Sequence, residues 1–276
     1  MDAADISMAS HAAESLMMFA LGCDRAHLFA HPERELTDEE AGNYQAMVDR
    51  RAAGVPVQYI TGHQEFYGLD FRVTPDVLIP RPETEHLVEA ALEKVAQLAQ
   101  GQAALKIVDV GTGSGCIALA LAHASREKKV AAEIHAVDIS EAALSVAREN
   151  AAALGLAASV NFKSSDLLSA FNSSPESFDI VVSNPPYVGR NEADKVQREV
   201  REFEPAVAVF GGDDGMDIYK RLIPQADYVL KPGGWLLMEI GYSVETQIRA
   251  LLQGWNDVSV RPDLQGIPRV AIARKP

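Results

Sequence analysis

The sequence predicts a small all-helical segment followed by a doubly wound α/β domain, and three observations carry that expectation. Residues 1–64 contain no strand-like run. From Glu83 onward, apolar runs such as LKIVDV, EIHAVD and FDIVVS alternate with segments of helical period. A glycine loop, GTGSG, follows the first of those runs. Strands buried on both faces read as continuous apolar runs, and their alternation with helices implies a mainly parallel sheet. The 276 residues suit about two domains.

In the first part, Ala12–Leu21 has apolar residues at helical spacing, and Ala26–Ala30 is a second short helix. A third helix starts after Thr37, whose hydroxyl caps while Glu40 completes a capping box, and stops at Gly54 before Pro56. Residues 65–82, EFYGLDFRVTPDVLIPRP, read as two short extended segments around Gly68, with three prolines that exclude helix. The expected division is therefore 1–64 helical, 65–82 a hairpin linker and 83–276 the α/β domain.

Within that domain the order is a helix through HLVEAALEKVAQLA, the strand LKIVDV, the glycine loop, and a helix over Cys116–Ala124. The strand EIHAVD, the helix SEAALSVARENAAALG, and the strands VNFKSSD and FDIVVS follow. A helix around Asp217–Leu230, the strand WLLMEIG, the helix VETQIRALLQ and strands near VSVRP and RVAIARK complete it. The last two strands are joined with no helix between them, so one of the pair runs antiparallel.

Composition narrows the function classes. Apolar residues make up 47% and charged residues 23%, which is globular. With 25 basic and 39 acidic residues the net charge is −14, which disfavours phosphate backbones and anionic membranes as partners. Cys23 and Cys116 form no metal-type spacing, and two thiols in a chain this long suit a reducing compartment. The start, MDAADISMASHAAES, lacks a basic stretch followed by an apolar core, and no apolar run approaches the ~20 residues of a membrane span. The expected location is the cytoplasm.

Two constellations carry chemistry. The first is Val108–Gly115, VDVGTGSG, at a strand end, where glycines let the backbone turn and approach a ligand ahead of a helix N-terminus. A dinucleotide fingerprint would need glycine or alanine at position 116, where this chain has Cys116, so the pattern is G-x-G-x-G. Asp138 closes the next strand, 23 residues beyond Gly115, where a carboxylate would accept from a ribose hydroxyl pair. Asp166 closes the third strand within reach of an adenine amino group. A tight turn with strand-end aspartates that cap helices is the competing reading. The second constellation is Asn184-Pro185-Pro186-Tyr187 after FDIVVS. Two prolines cannot continue a sheet ladder, so the backbone leaves the sheet while their carbonyls remain acceptors. The Asn184 oxygen and the Pro185 carbonyl would accept from one planar NH₂ group, with the Tyr187 ring lying against it. His27 and His31 are four apart, but Pro32 follows and no H-E-x-x-H pattern is present, so no metal site is read there. Cys116 reads as small core filling behind the loop.

Together these motifs resemble a class I S-adenosylmethionine-dependent methyltransferase acting on a planar nitrogen. More closely, the chain resembles the PrmC/HemK family, the protein-(glutamine-N5) methyltransferases of peptide-chain release factors. The resemblance rests on GHQEFYGLDFRV, LIPRPETEHLVEAAL, IVDVGTGSGCIALALA, AVDIS, VVSNPPYV, Phe203-Glu204-Pro205, GGDDGMDIY and LKPGGWLLMEIG. It implies a Rossmann-like seven-stranded sheet with the last strand antiparallel, a helical N-terminal substrate-recognition domain and a β-hairpin between. Gly111, Thr112, Gly113, Ser114 and Gly115 would form the cofactor loop and Asp138 would hold the ribose. Asp166 and Leu167 would frame the adenine, although the family often has an aromatic residue at the position of Leu167. Asn184, Pro185, Pro186 and Tyr187 would bind the substrate amide, with Asn184, Pro185 and Tyr187 catalytic and Asn184 also touching the cofactor. Relatives usually carry a further helix before the segment matching Ala12–Leu21. The implied reaction consumes S-adenosylmethionine, yields S-adenosylhomocysteine and needs no metal. Its substrate is the glutamine of the Gly-Gly-Gln motif in class-1 release factors, without direct contact to nucleic acid or membrane. Asn-Pro-Pro-Tyr also occurs in adenine-N6 methyltransferases of DNA and RNA, the alternative that the charge of −14 disfavours.

Overall fold

Helix signals in the N-terminal stretch are local and are realised where the caps stand. In this computed structural model, which describes residues 3–99 and 104–276, the chain forms two units, one ending at His63 and one beginning at Gln64. Residues 1–2 and 100–103, parts of the expected first and last domains, lie outside the described residues. The first unit holds α1 (Ala3–Leu21), α2 (Arg25–Ala30), α3 (Asp38–Ala52) and α4 (Val57–Thr61). The capping box at α3 forms as the sequence predicts. The Glu40 N–H donates to the Thr37 hydroxyl at 3.2 Å, and the Thr37 N–H donates to the Glu40 carboxylate at 3.0 Å. Asp24 caps α2 by accepting from the His27 N–H at 2.7 Å. Two features differ from expectation. α1 begins at Ala3 rather than Ala12, because no glycine or proline interrupts the preceding stretch. α4 was not expected; it fits between Pro56 and the left-handed Gly62 and is too short to show a period.

The second unit opens with a hairpin, β1 (His63–Phe66) and β2 (Leu69–Arg72). Its two turn residues, Tyr67 and Gly68, both have positive φ (53° and 74°), as a two-residue turn matching strand twist requires. Phe66 and Phe71 are fully buried against one face of the main sheet, so the hairpin packs as part of this unit. Asn150 fastens it. Its side-chain oxygen accepts from the Arg72 N–H at 2.8 Å, while its NH₂ donates to the carbonyls of Arg72 (3.0 Å) and Ser114 (2.9 Å).

The main sheet contains β3 (Leu105–Val110), β4 (Ala132–Asp138), β5 (Val160–Ser164), β6 (Phe178–Ser183), β7 (Leu230–Glu239), β8 (Asn256–Pro262) and β9 (Pro268–Arg274). Their order is β5-β4-β3-β6-β7-β9-β8, parallel throughout except for β9, which runs against both its neighbours. This is the Rossmann-like seven-stranded sheet with a reversed last strand that the sequence predicts. β7 starts five residues earlier than expected. Leu230 already pairs with Phe178, and the register then shifts through the Pro-Gly-Gly stretch so that Trp235 meets Ile180.

Alternate residues of each strand feed two cores. Ile107, Ile134, Ile180, Val182 and Leu237 pack toward α5 (Glu85–Leu98), α6 (Cys116–Glu127) and the end of α7 (Glu141–Ala153). Val108, Val110, Val181, Leu236 and Met238 pack toward α10 (Asp217–Val229) and α11 (Glu245–Leu251). Two short helices, α8 (Arg198–Phe203) and α9 (Ala206–Val209), lie between β6 and α10 and were not expected. Strand order reverses between β3 and β6. In open α/β sheets such a switch point leaves a crevice beyond the strands' carboxyl ends, and ligands bind there.

Candidate active site

The crevice is present: a cavity of about 230 Å³ lies at that point, an order of magnitude more than one buried water needs. It is lined by every residue of the glycine loop except Gly115, and by Asp138, Asp166, Leu167, Asn184, Pro185 and Pro186. At its floor the Ser183 hydroxyl donates to the Val110 carbonyl at 2.7 Å, tying the ends of β6 and β3.

One wall is the loop between β3 and α6. Gly111, Gly113 and Gly115 have φ of 73°, 55° and 83°, a region costly for residues with a Cβ. At Gly115 a Cβ would also stand 3.1 Å from both Ala147 and Leu119. Asp109, fully buried beneath the loop, accepts from the Thr112 hydroxyl (2.6 Å) and the Ala118 N–H (3.2 Å) through Oδ2. Its Oδ1 is buried with no hydrogen-bond partner among the described residues. Burial pushes this carboxyl up to about 7. Asp138 organises the loop from the other side: its two oxygens accept from the Gly113 and Ser140 N–H groups, both at 2.9 Å. Burial raises its pKa against those two bonds. Burial also pushes the Cys116 thiol up to about 12, so it is an inert part of the packing.

Asp166 lies two residues beyond the end of β5, in a loop rather than in the strand, and its carboxylate pairs with Arg221 at 2.6 Å. Leu167 holds a left-handed backbone (φ 50°) and packs on the second core. Ile139, 59% exposed, adds an apolar edge to this end of the cavity.

The opposite wall begins where β6 ends. Asn184 is half-buried, and its NH₂ donates to the Thr84 hydroxyl at 3.1 Å. Thr84 donates in turn to Glu239 Oε2 at 2.6 Å, and the Tyr187 hydroxyl donates to Glu239 Oε1 at 3.2 Å. Glu239 is 1% exposed, and burial raises its pKa. Tyr187 is the one expected substrate-wall residue that does not line the cavity. Its ring lies against Gly241, where a Cβ would stand 3.2 Å from the ring. Beyond Tyr187, a Cβ at Gly215 (φ 75°) would stand 2.3 Å from the Tyr187 carbonyl, so the Gly-Gly-Asp-Asp-Gly stretch must be bare for the two backbones to meet.

A family described as the PrmC N-terminal domain matches residues 1–62, and a methyltransferase domain family matches residues 102–260. A release factor glutamine methyltransferase of Koribacter versatilis is 56% identical over 276 residues, covering 100% of this chain and 95% of that one. The chain belongs to the release factor glutamine methyltransferase family. Another member, from Moorella thermoacetica, is 43% identical over 264 residues, covering 95% of this chain and 89% of its own. Two solved structures share the fold. The catalytic domain of human Mettl16 with an RNA hairpin of the MAT2A 3′ untranslated region is 18% identical, with TM-score 0.58 over 87% of this chain and 82% of that one. The N-terminal domain of human METTL16 with SAH is 19% identical, with TM-score 0.51 over 76% of each.

Within the family's motifs, several residues now have contacts that the sequence did not assign. The stretch Leu78–Glu85 runs along the cavity as a strap. Arg81 pairs with Glu204, whose other oxygen accepts from the Ile79 N–H at 3.2 Å. Glu85 accepts from the Tyr67 N–H of the hairpin at 2.9 Å. Thr84 and Glu239 hold Asn184 and Tyr187. One signal was available for Glu239: an acidic residue inside the apolar run WLLMEIG must be buried, and a buried carboxylate needs donors.

Proposed function

We propose that this chain transfers a methyl group from S-adenosylmethionine to the side-chain amide nitrogen, N5, of the glutamine in the Gly-Gly-Gln motif of class-1 release factors. The observation that carries it is the convergence of the glycine loop, Asp138 and Asn184-Pro185-Pro186 on one cavity in a member of this family. The donor set fits the cofactor: a loop of bare backbone and a half-buried carboxylate at the end of β4, both lining the cavity, suit a ligand with hydroxyl groups. When bound, S-adenosylmethionine supplies a methyl group on a positively charged sulfur, and the reaction class is in-line displacement at that methyl.

Gly111–Ser114 and Asp138 bind and orient, Gly115 lets the turn close against Ala147 and Leu119, and Asp166 with Leu167 frames the far end. An amide nitrogen is a weak nucleophile because its lone pair is delocalised into the carbonyl. Asn184 Oδ1 and the Pro185 carbonyl accept from its NH₂, localise density on nitrogen and stabilise the positive charge that develops there. Holding the nitrogen in line contributes a further large part of the rate through lost freedom paid for in binding. Tyr187 acts from behind Asn184, through Glu239. The helical first unit would recognise the release factor. The location is cytoplasmic, consistent with the absence, among the described residues, of any helix long and apolar enough to cross a membrane.

The test is incorporation of labelled methyl. Label on release factor, lost when its Gly-Gly-Gln glutamine is replaced, is the expected result. Labelled N6-methyladenine from DNA or RNA at comparable rates would instead promote the nucleic-acid alternative.

A further inference from the structure

The strap Leu78–Glu85 passes the substrate wall, and one of its side chains reaches both the proposed catalytic asparagine and a buried acid on β7. Thr84 is 2% exposed, lines the cavity and stands a hundred residues from Asn184 in sequence. Its hydroxyl has one hydrogen and two lone pairs. The short contact to Glu239 Oε2, 2.6 Å, takes the hydrogen, because both Glu239 oxygens accept, Oε2 from Thr84 and Oε1 from the Tyr187 hydroxyl. Toward Asn184, at 3.1 Å, Thr84 has only a lone pair left. It therefore demands the NH₂ side of the Asn184 amide. An asparagine side chain is nearly symmetric in shape, and its hydrogen-bond partners alone decide which end faces where. With NH₂ turned to Thr84, Oδ1 is the end available to the cavity.

We propose that Thr84 and Glu239 are positioning residues that fix the polarity of the Asn184 amide, so that its oxygen rather than its nitrogen meets the substrate NH₂. This rests on the proposed role of Asn184 as an acceptor. Glu239 serves both sides of the wall, since its Oε1 takes the Tyr187 hydroxyl while the Tyr219 hydroxyl holds the Glu239 backbone carbonyl at 2.8 Å. The acid is kept in place by three hydroxyls from three separate elements: the strap, the Asn-Pro-Pro-Tyr loop and α10. If the order of donors were reversed, Asn184 would present NH₂ to NH₂ and lose the contact it is there to make. Thr84 thus gives the strap a role in methyl transfer besides its packing.

The experiment uses the full-length protein with release factor as substrate, and compares turnover with S-adenosylmethionine affinity by calorimetry and folding by thermal melting. Thr84→Val keeps size and removes both hydrogen bonds; kcat is expected to fall ten- to a hundredfold while cofactor affinity stays within about twofold. Thr84→Ser restores the hydroxyl and should recover most of the lost turnover. Glu239→Gln, which replaces one accepting oxygen by a donor, should lower kcat at least tenfold with the cofactor still binding. If Thr84→Val melts early, the Thr84→Ser and Glu239→Gln pair decides. Equal loss in Thr84→Ser and Thr84→Val would assign the effect to packing and overturn the proposal. So would normal kcat in folded Thr84→Val and Glu239→Gln while Asn184→Ala is inactive, which leaves the acceptor role standing. Normal turnover in Asn184→Ala would remove that role and this proposal together.

Discussion

The two walls of the cavity are built in different ways. The glycine-loop wall is mostly local: Asp109 holds Thr112 and Ala118, and Asp138 holds Gly113 and Ser140, all within 25 residues, while Asn150 reaches the Ser114 carbonyl from 36 residues on. The Asn184 wall is assembled from afar, with Thr84 a hundred residues upstream and Glu239 a further 55 downstream of Asn184, joined through one hydroxyl. The first wall is largely backbone, shaped by residues with no Cβ, and suits a ligand that every turnover shares. The second is a chain of side-chain hydrogen bonds, in which each donor's direction depends on the next. Backbone cradles tolerate change poorly but bind passively; side-chain chains set the direction of a single hydrogen bond at the reacting atom.

That contrast predicts where each substitution will be felt. The largest effect on the local wall is expected from Asp138→Ala, which removes the acceptor proposed for ribose and frees the Gly113 and Ser140 N–H groups. Calorimetry should show S-adenosylmethionine binding weakened by roughly 1.5–3 kcal/mol, with kcat at saturation nearly unchanged. Unchanged affinity would take Asp138 out of the site, and a matching loss of kcat would blur the two walls.

A smaller effect concerns stability. Burial pushes the Asp109 carboxyl up to about 7, so its protonated form is favoured in the folded protein. A raised pKa means that its contribution is present below the ordinary carboxylate range and is lost as pH rises through about 7. Asp109→Asn cannot ionise. Its melting temperature relative to wild type should therefore climb between pH 5 and pH 8, and a flat difference would show that Asp109 titrates normally. The smallest effect is expected at Arg221→Ala. Its pair with Asp166 is about half exposed on both sides, and such pairs contribute about 0–1 kcal/mol. Cofactor affinity should shift a few-fold at most, with the difference fading as salt rises; a large, salt-independent loss would place Arg221 itself on the ligand.

The same contrast explains what the sequence made legible. The capping box at Thr37, the strands through LKIVDV and FDIVVS, and the glycine loop follow from neighbours within a few residues, so pattern alone places them. The early start of β7 was hidden because Pro-Gly-Gly reads as a turn, whereas a register shift against β6 absorbs it. α8 and α9 are too short for a period to emerge. In the cavity, the loop, Asp138 and Asn184 could be named from strand ends and residue chemistry. Thr84, Arg81, Glu204 and the orientation of Tyr187 could not, because each depends on a partner more than fifty residues away. Tyr187 shows this most plainly: chemistry suggested a ring facing the substrate, while Gly241 and Glu239 draw the ring and its hydroxyl to the far side.

The most direct measurement is the pair of constants for Asn184→Ala: kcat on release factor and the dissociation constant for S-adenosylmethionine, determined on the same preparation. A preorganised acceptor at the reacting nitrogen acts on the transition state, so kcat should fall on the order of 10²–10³. The dissociation constant should move by no more than a few-fold, because the loop wall proposed to hold the cofactor is intact. Turnover near the wild-type value with weakened cofactor binding would contradict the account, placing Asn184 in the cofactor's wall and not at the amide.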